Sequence, residues 1–265
     1  MLKKRIIFSL LFDGTSFVLS RNFRLQKVGD IDWLKKYYDF KNISQHIDEL
    51  VVLNVSRDDH SIDRFCSVLE ELSVECFVPI AAGGGIKSLA TAYQLMSSGA
   101  DKLVFNTLLV DNPSIVKSIG QIFGRQAIVA SIDCKKDNQN HYVYGYGGSK
   151  QIMLLSDFID KLLSLEMIGE IYINSIDKDG TGQGYDLDIL TEISNECKLP
   201  IIMCGGAGNS NHLSLGLKHP RIDAVSTANL LNFVGDGLQQ SRFNLIADGH
   251  CLSRFKSFDC LTLRQ

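Results

Sequence analysis

Asp133 closes a short apolar run, Ala127-Ile128-Val129-Ala130-Ser131-Ile132-Asp133, that has the composition of a buried strand. The matching run in the first half of the chain, Ile6-Ile7-Phe8-Ser9-Leu10-Leu11, closes on leucine. A carboxylate at the end of a strand, above a packed core, is placed for proton transfer, because desolvation raises its pKa toward neutrality. Leucine can move no proton. A reaction needing one acid and one base across a shared mouth would therefore lack one of the two. The plainer role for Asp133 is a helix cap, or a salt bridge to Lys135 or Lys136.

Two glycine clusters point to an anion. Val78-Pro79-Ile80-Ala81-Ala82-Gly83-Gly84-Gly85 resembles Leu199-Pro200-Ile201-Ile202-Met203-Cys204-Gly205-Gly206. Glycine lets a backbone approach a ligand, and amides at a following helix start favour negative charge. Gly84 and Gly85 in one half, and Gly205 and Gly206 in the other, are the candidate phosphate cradles. Asn106-Thr107 and Thr227-Ala228-Asn229 end the next strands and could complete them. Two cradles in register fit a small molecule with a phosphate at either end, although glycines also serve simply as tight turns.

The stretch Ser175-Ile176-Asp177-Lys178-Asp179-Gly180-Thr181 is dense in carboxylate and glycine. Its aspartate spacing faintly resembles a calcium loop, but the bidentate glutamate is missing, so no metal is expected. Ser175, Asp177, Asp179, Gly180 and Thr181 read instead as an active-site loop facing a ligand, or equally as a solvated acidic turn. No cofactor motif is present. The six histidines are isolated and read as exposed rather than catalytic.

These residues need a scaffold that brings distant strand ends together. Apolar runs at Arg5–Leu11, Glu49–Asn54, Glu75–Ala82, Lys102–Asn106, Ala127–Asp133, Glu170–Ser175, Pro200–Cys204 and Ala224–Thr227 read as strands. They are near-continuous in apolar character, as parallel strands covered on both faces are. Helical patterns lie between them; the clearest starts at Asn112-Pro113 and stops at Gly124. Eight β-α units predict an α/β fold, a (β/α)8 TIM barrel. The glycine repeat divides it into two similar half-barrels, about 1–124 and 125–245, followed by an extension, 246–265, with no assigned place. No linker separates the halves, so residues 1–265 read as one domain. Arg5, Glu49, Lys102 and Glu170 open the first, second, fourth and sixth strands. Together they would ring the barrel bottom, a face that usually serves stability.

Composition narrows the class. The chain has 265 residues, 45% hydrophobic and 22% charged, with a formal net charge of −3. That charge gives no argument for nucleic acid or an anionic membrane. No apolar run approaches the ~20 residues of a membrane span. The basic-then-apolar start, Lys3-Lys4-Arg5-Ile6-Ile7-Phe8, mimics a signal peptide, but Asp13-Gly14 follows without a small-residue cleavage site. Seven scattered cysteines without a CxxC pair suggest reduced thiols in the cytoplasm.

The same residues resemble a known family over nearly the whole chain: the cyclase subunit of imidazole glycerol phosphate synthase. The likeness is carried by Lys4-Arg5-Ile6-Ile7, Gly83-Gly84-Gly85-Ile86, Gly99-Ala100-Asp101-Lys102, Asn106, Ala130-Ser131-Ile132-Asp133, Asp177-Lys178-Asp179-Gly180-Thr181, Gly184-Tyr185-Asp186-Leu187 and Gly205-Gly206-Ala207-Gly208. The resemblance implies a glutaminase partner on the N-terminal face of the barrel, with Asp101 in the docking surface. It also implies an ammonia gate of Arg5, Glu49, Lys102 and Glu170, and a phosphorylated small-molecule ligand at the mouth, with Asp133 as one of two catalytic aspartates. The second catalytic aspartate falls at Leu11, an active-site lysine falls at or near Leu19, and an acidic residue becomes Asn54. Those departures resemble a paralogous branch called WbuZ-like, which accompanies a glutaminase and a sugar amidotransferase in making surface polysaccharides. The expectation is a barrel that receives ammonia and conducts it onward for sugar amidation. Three alternatives stay open. One is a working cyclase whose missing acid comes from Asp177 or Asp179. The others are a different barrel enzyme using Asp133 and a non-catalytic interaction protein.

Overall fold

A computed structural model describes residues 3–57, 62–229 and 235–253. Eight parallel strands close on themselves, as the sequence pattern predicts. In chain order the strands are β1 (Arg5–Phe12), β2 (Phe17–Arg21), β3 (Arg24–Gly29), β4 (Glu49–Asn54), β5 (Ile80–Gly83), β6 (Lys102–Phe105), β7 (Ile128–Asp137), β8 (Asn140–Gly145), β9 (Lys150–Leu154), β10 (Glu170–Ser175), β11 (Ile201–Cys204) and β12 (Ala224–Thr227). The barrel runs β1-β4-β5-β6-β7-β10-β11-β12, and β12 returns to pair with β1. The remaining four strands form two antiparallel appendages at the top: β2–β3 folds from the end of β1, and β8–β9 from the end of β7.

Several limits differ from the sequence reading; β7, for example, runs on to Asp137 instead of ending at Asp133. The third barrel strand begins at Ile80, not Glu75, because Glu75 finishes the helix Ile62–Glu75. That helix buries Phe65, Cys66, Val68, Leu69 and Leu72 at helical spacing, and this face holds the chain helical to its end. After β10, the connection carries only the short 3-10 turn Leu187–Glu192 before β11. The helix Pro113–Phe123 has the predicted limits, with proline at its first turn and Gly124 (φ 86°) ending it.

The core has two parts. Outside the sheet, strand side chains such as Ile6, Phe8 and Leu10 pack against the helices. Inside it, Ile7, Val51, Ala81, Val104, Val129, Tyr172, Ile202 and Ala224 fill the lumen as a packed tier. Cutting Ile7 or Ile202 to alanine would cost about 2–5 kcal/mol, since a closed barrel cannot collapse around the void.

A repeated aspartate ties the bottom together. Asp48, Asp101 and Asp223 each precede a barrel strand, and their carboxylates accept the backbone N–H of Ile6, Ile80 and Ile201 at 2.8, 2.9 and 3.0 Å. The described part of the C-terminal extension also lies here. Leu252 bridges to Lys4 beside β1, and Arg242 pairs with Asp48 at 3.0 Å and donates to the Ser253 carbonyl. His60 and the extension beyond Ser253 lie outside the described residues.

Candidate functional site

At the barrel bottom the four ring residues meet. Arg5 reaches Glu49 at 3.0 Å and Glu170 at 2.8 Å, and Lys102 reaches each of the same glutamates at 2.8 Å. The charges alternate, so every residue touches two of opposite sign. Burial pushes the Glu49 carboxyl above its ordinary pKa, against the pull of Lys102 and Arg5. Burial acts upward on Glu170 too, but its bonds to Arg5 and Lys102 outweigh that and hold it low. The ring closes the lower end of the lumen. Asp101 stands next to it, exposed, with one oxygen committed to Ile80.

At the mouth Asp133 is half-buried beside Asn174, one pair before the end of the shared register of β7 and β10. It accepts from Asn106 Nδ2 at 3.0 Å and from Asn174 Nδ2 at 3.3 Å; neither Lys135 nor Lys136 pairs with it. Burial raises its pKa to about 7, which two amide donors oppose only in part, and Asp179 adds to the rise. The group is thus poised between its two protonation states at neutral pH. Leu11 is half-buried on β1, next to Leu53 on β4 and Val18 on β2. Asn54 turns its Oδ1 onto the Ser56 amide at 3.1 Å.

The β2–β3 hairpin carries residues that sequence reasoning passed over. Its turn is Asn22-Phe23, both at positive φ (49° and 63°), as tight two-residue hairpins require. Asp179 accepts from Ser20 Oγ at 2.5 Å and from the Phe23 amide at 3.1 Å, while Asn22 N–H donates to the Asp179 carbonyl. Gly180 (φ 66°) allows this contact, because a Cβ there would lie 2.1 Å from the Ser20 carbonyl. The pinned hairpin sets Arg21 and Arg24 over a cavity of about 180 Å³ with Asp179, Gly180, Gly205, Gly206, Thr227, Ala228 and Asn229. Leu19 lines the same cavity. Gly206 (φ 106°) is irreplaceable at its floor, since a Cβ would stand 2.1 Å from the Gly184 carbonyl.

The other candidate residues are spread more widely. Asp177 faces the β7 end, where its Oδ2 accepts the Lys136 N–H at 2.9 Å. Ser175 is buried with its hydroxyl 3.4 Å from Asp186, and Thr181 donates to the Lys178 carbonyl. Thr227 donates to the Ala207 carbonyl. Gly84 and Gly85 follow the end of β5, on the strand diametrically opposite the one that leads into Gly205 and Gly206. Asn106 and Thr107 stand beside them, but the Asn106 amide is spent on Asp133 and the Ser131 carbonyl. The expectation of exposed histidines fails at every described histidine: His46, His212, His219 and His250 are half-buried, and His141 is fully buried. Its Nδ1 meets Glu192 at 2.5 Å and its Nε2 meets Asp186 at 3.3 Å. Burial lowers its pKa, but the two carboxylates outweigh that, so the net shift is upward. Among the described residues no cluster of His, Cys, Asp or Glu is arranged to hold a metal ion, and no helix is long and apolar enough to cross a membrane.

A sequence model of the family described as "Histidine biosynthesis protein" matches residues 27–234. A protein of Parasynechococcus marenigrum (strain WH8102) with the name "Putative imidazole glycerol phosphate synthase subunit hisF2" is 45% identical over 246 residues, covering 91% of this chain and 90% of the relative. The "Imidazole glycerol phosphate synthase subunit HisF" of Exiguobacterium sp. (strain ATCC BAA-1283 / AT1b) is 35% identical over 88% of this chain and 89% of its own length. That of Methanocaldococcus jannaschii is 35% identical over 88% and 92%. This chain belongs to the histidine biosynthesis protein family, within its HisF-like cyclase-subunit group.

Proposed function

We propose that this barrel is the ammonia-receiving subunit of a glutamine amidotransferase complex, and that it conducts ammonia through its lumen for amidation of a sugar in surface-polysaccharide biosynthesis. The observation that carries the reading is the pairing of a complete charged ring at the bottom with a half-empty acid–base set at the top. Arg5, Glu49, Lys102 and Glu170 make a salt-bridged entrance. Above them, among the described residues, Asp133 is the one mouth carboxylate pushed to about 7, Leu11 takes the opposite place, and Asp179 is tied to Ser20 and Phe23. General acid–base help is worth about 10²–10⁴-fold in rate, so losing one partner would cripple a two-carboxylate cyclisation.

In this reading a glutaminase docks on the N-terminal face around the ring and Asp101, in the cytoplasm. Ammonia passes when the ring opens, and Asp133 holds or relays a proton at the exit. The cavity under Arg21 and Arg24 binds the phosphate of the acceptor ligand, with Gly205 and Gly206 supplying backbone amides. A sugar amidotransferase would take the ammonia from the mouth.

A second reading has its own support. The relatives' names make them subunits of imidazole glycerol phosphate synthase, and Asp133 is poised to act as an acid or a base. Here the chain would be a working cyclase, with Asp179, whose carboxyl burial also raises, standing in for the lost group. One experiment separates them: turnover of the histidine-pathway bisphosphate by the purified protein with saturating ammonium. Cyclised product at a useful rate, abolished in Asp133→Asn, would overturn the conduit reading. No turnover, from protein that stimulates its co-produced glutaminase, is the expected result.

A further inference from the structure

Between the ring and the mouth the lumen holds a polar tier, two of whose members, Cys204 and Ser226, also line the mouth cavity from below. Inward side chains on a strand recur every second residue, so they stack in tiers up the barrel. On β1 the sequence upward is Arg5, Ile7, Ser9, Leu11. On β10 it is Glu170, Tyr172, Asn174. The first tier above the ring is apolar, and the Tyr172 ring is part of it. The next is not. Ser9 Oγ lies 2.7 Å from Ser226 Oγ and 3.0 Å from the Tyr172 hydroxyl. That hydroxyl donates to Cys204 Sγ at 2.9 Å and lies 3.3 Å from Ser226 Oγ. The four side chains come from β1, β10, β11 and β12, and their residues are 0%, 3%, 6% and 0% exposed for Ser9, Tyr172, Cys204 and Ser226. On the same strand as Tyr172, the Asn174 Oδ1 atom is buried without a partner.

Packing alone does not call for this. Buried hydroxyls cost desolvation that an alanine and leucine set of similar volume would avoid. The tier carries no carboxylate and no cation. Burial drives the Tyr172 hydroxyl far above its ordinary pKa and the Cys204 thiol up to about 12, so the cluster stays neutral. It offers hydrogen-bond donors and acceptors to a small neutral molecule and no counter-charge to an ion.

We propose that Ser9, Tyr172, Ser226 and Cys204 form a station for neutral ammonia part-way along the barrel lumen; the proposal rests on the ammonia-conduit reading and deepens it. The Tyr172 hydroxyl turns from Cys204 and donates to the ammonia lone pair, while the Ser9 and Ser226 oxygens accept its N–H groups. No covalent bond changes. The guest enters at the Tyr172–Ser226 contact, which is the loosest oxygen–oxygen contact in the cluster and has least to lose. An ammonium ion is excluded, because it would be desolvated with nothing to neutralise it. Tyr172 and the two serines are positioning residues for the guest.

The test uses the full chain labelled with 3-fluorotyrosine. The eight tyrosines give separable fluorine resonances, and Tyr172→Phe identifies the one that matters, with the other seven reporting the fold. Ammonium chloride is titrated at alkaline pH, where much of it is neutral ammonia, and at neutral pH, where it is not. Sodium chloride and trimethylamine are titrated alongside. The expected result is a saturable shift at Tyr172 that follows neutral ammonia alone. Ser9→Ala and Ser226→Ala should each weaken it about threefold to tenfold, the fold-change of one neutral hydrogen bond. No saturable shift, or the same shift with trimethylamine or sodium chloride, overturns the station. The two proposals fail separately. A Tyr172 that binds ammonia in a barrel that takes none from a glutaminase keeps the station and sinks the conduit, whereas a glutaminase-coupled barrel with a silent Tyr172 does the reverse.

Discussion

Asp133→Asn should change how stability depends on pH more than it changes stability itself. The Asp133 carboxyl moves from an ordinary 3.8 to about 7 in the folded chain. A raised folded pKa means the native state binds the proton more tightly than the unfolded state. Its contribution is therefore fully present below about pH 4 and is lost as pH rises toward 7. At 1.36 kcal/mol per unit, the loss between pH 5 and pH 8 is about 2.5 kcal/mol. Asp133 keeps some contact with the open mouth, which makes this an upper limit. Asparagine loses none of it, because it does not titrate. It presents one NH2 to two amide donors, Asn106 and Asn174, so one hydrogen bond worth about 1 kcal/mol is forfeited at every pH. Relative to the wild type, the variant should gain stability steadily from pH 5 to pH 8, by up to about 2.5 kcal/mol, and be the stronger protein at pH 8. The assay is urea unfolding of both proteins across that range, and the readout is their difference, in which His141 and all other shared titrations cancel. Parallel pH profiles would refute the buried, two-donor environment assigned to Asp133 and the proton chemistry built on it.

Other positions give equally direct outcomes. Arg21→Ala with Arg24→Ala should weaken binding of inorganic phosphate, followed by calorimetry, at least tenfold while thermal unfolding is unchanged, since both guanidiniums are exposed over the cavity. Gly206→Ala should destabilise the protein by about 2–4 kcal/mol in denaturant titrations, because it combines a left-handed φ with a backbone clash. His141→Gln should cost most stability in acid. The raised His141 pKa gives a contribution that is complete below its ordinary value of 6.5 and fades as pH climbs through the folded value, so wild-type and variant unfolding curves should converge at alkaline pH.

The strands were the most legible part of the chain. Glu49–Asn54, Glu170–Ser175 and Ala224–Thr227 have the expected limits, because a charged or turn residue abuts an unbroken apolar run on each. The two antiparallel appendages were not legible. Arg24–Gly29 is largely exposed and has no apolar run, and in Lys150–Leu154 the apolar Ile152-Met153-Leu154 runs straight into the helix Leu155–Leu163, so it does not read as a separate strand. Their order comes from what they lie against, such as Asp179 beneath the β2–β3 turn. His141 was misread for the same reason. Nothing near it in sequence suggests a partner, and its carboxylates stand 45 and 51 residues away.

The sequence by itself determined the barrel, its internal repeat, and the inventory of groups that could act, because burial patterns and turn residues are local properties of a chain. It also placed Leu11, a side chain that moves no proton, at the point where the matching run of the second half has Asp133. Tertiary structure decided which of those groups share a space. Arg5 closes a circuit with Glu49 and Glu170, residues 44 and 165 positions distant, and the alternating charges meet only because the barrel closes. Asp133 acquires its near-neutral pKa from burial in the closed barrel, which the amides of Asn106 and Asn174 oppose only in part. Ser9, Tyr172, Cys204 and Ser226 are unremarkable letters in four separate strands. They become one cluster only in the third dimension, where strand register stacks them at the same height in the lumen.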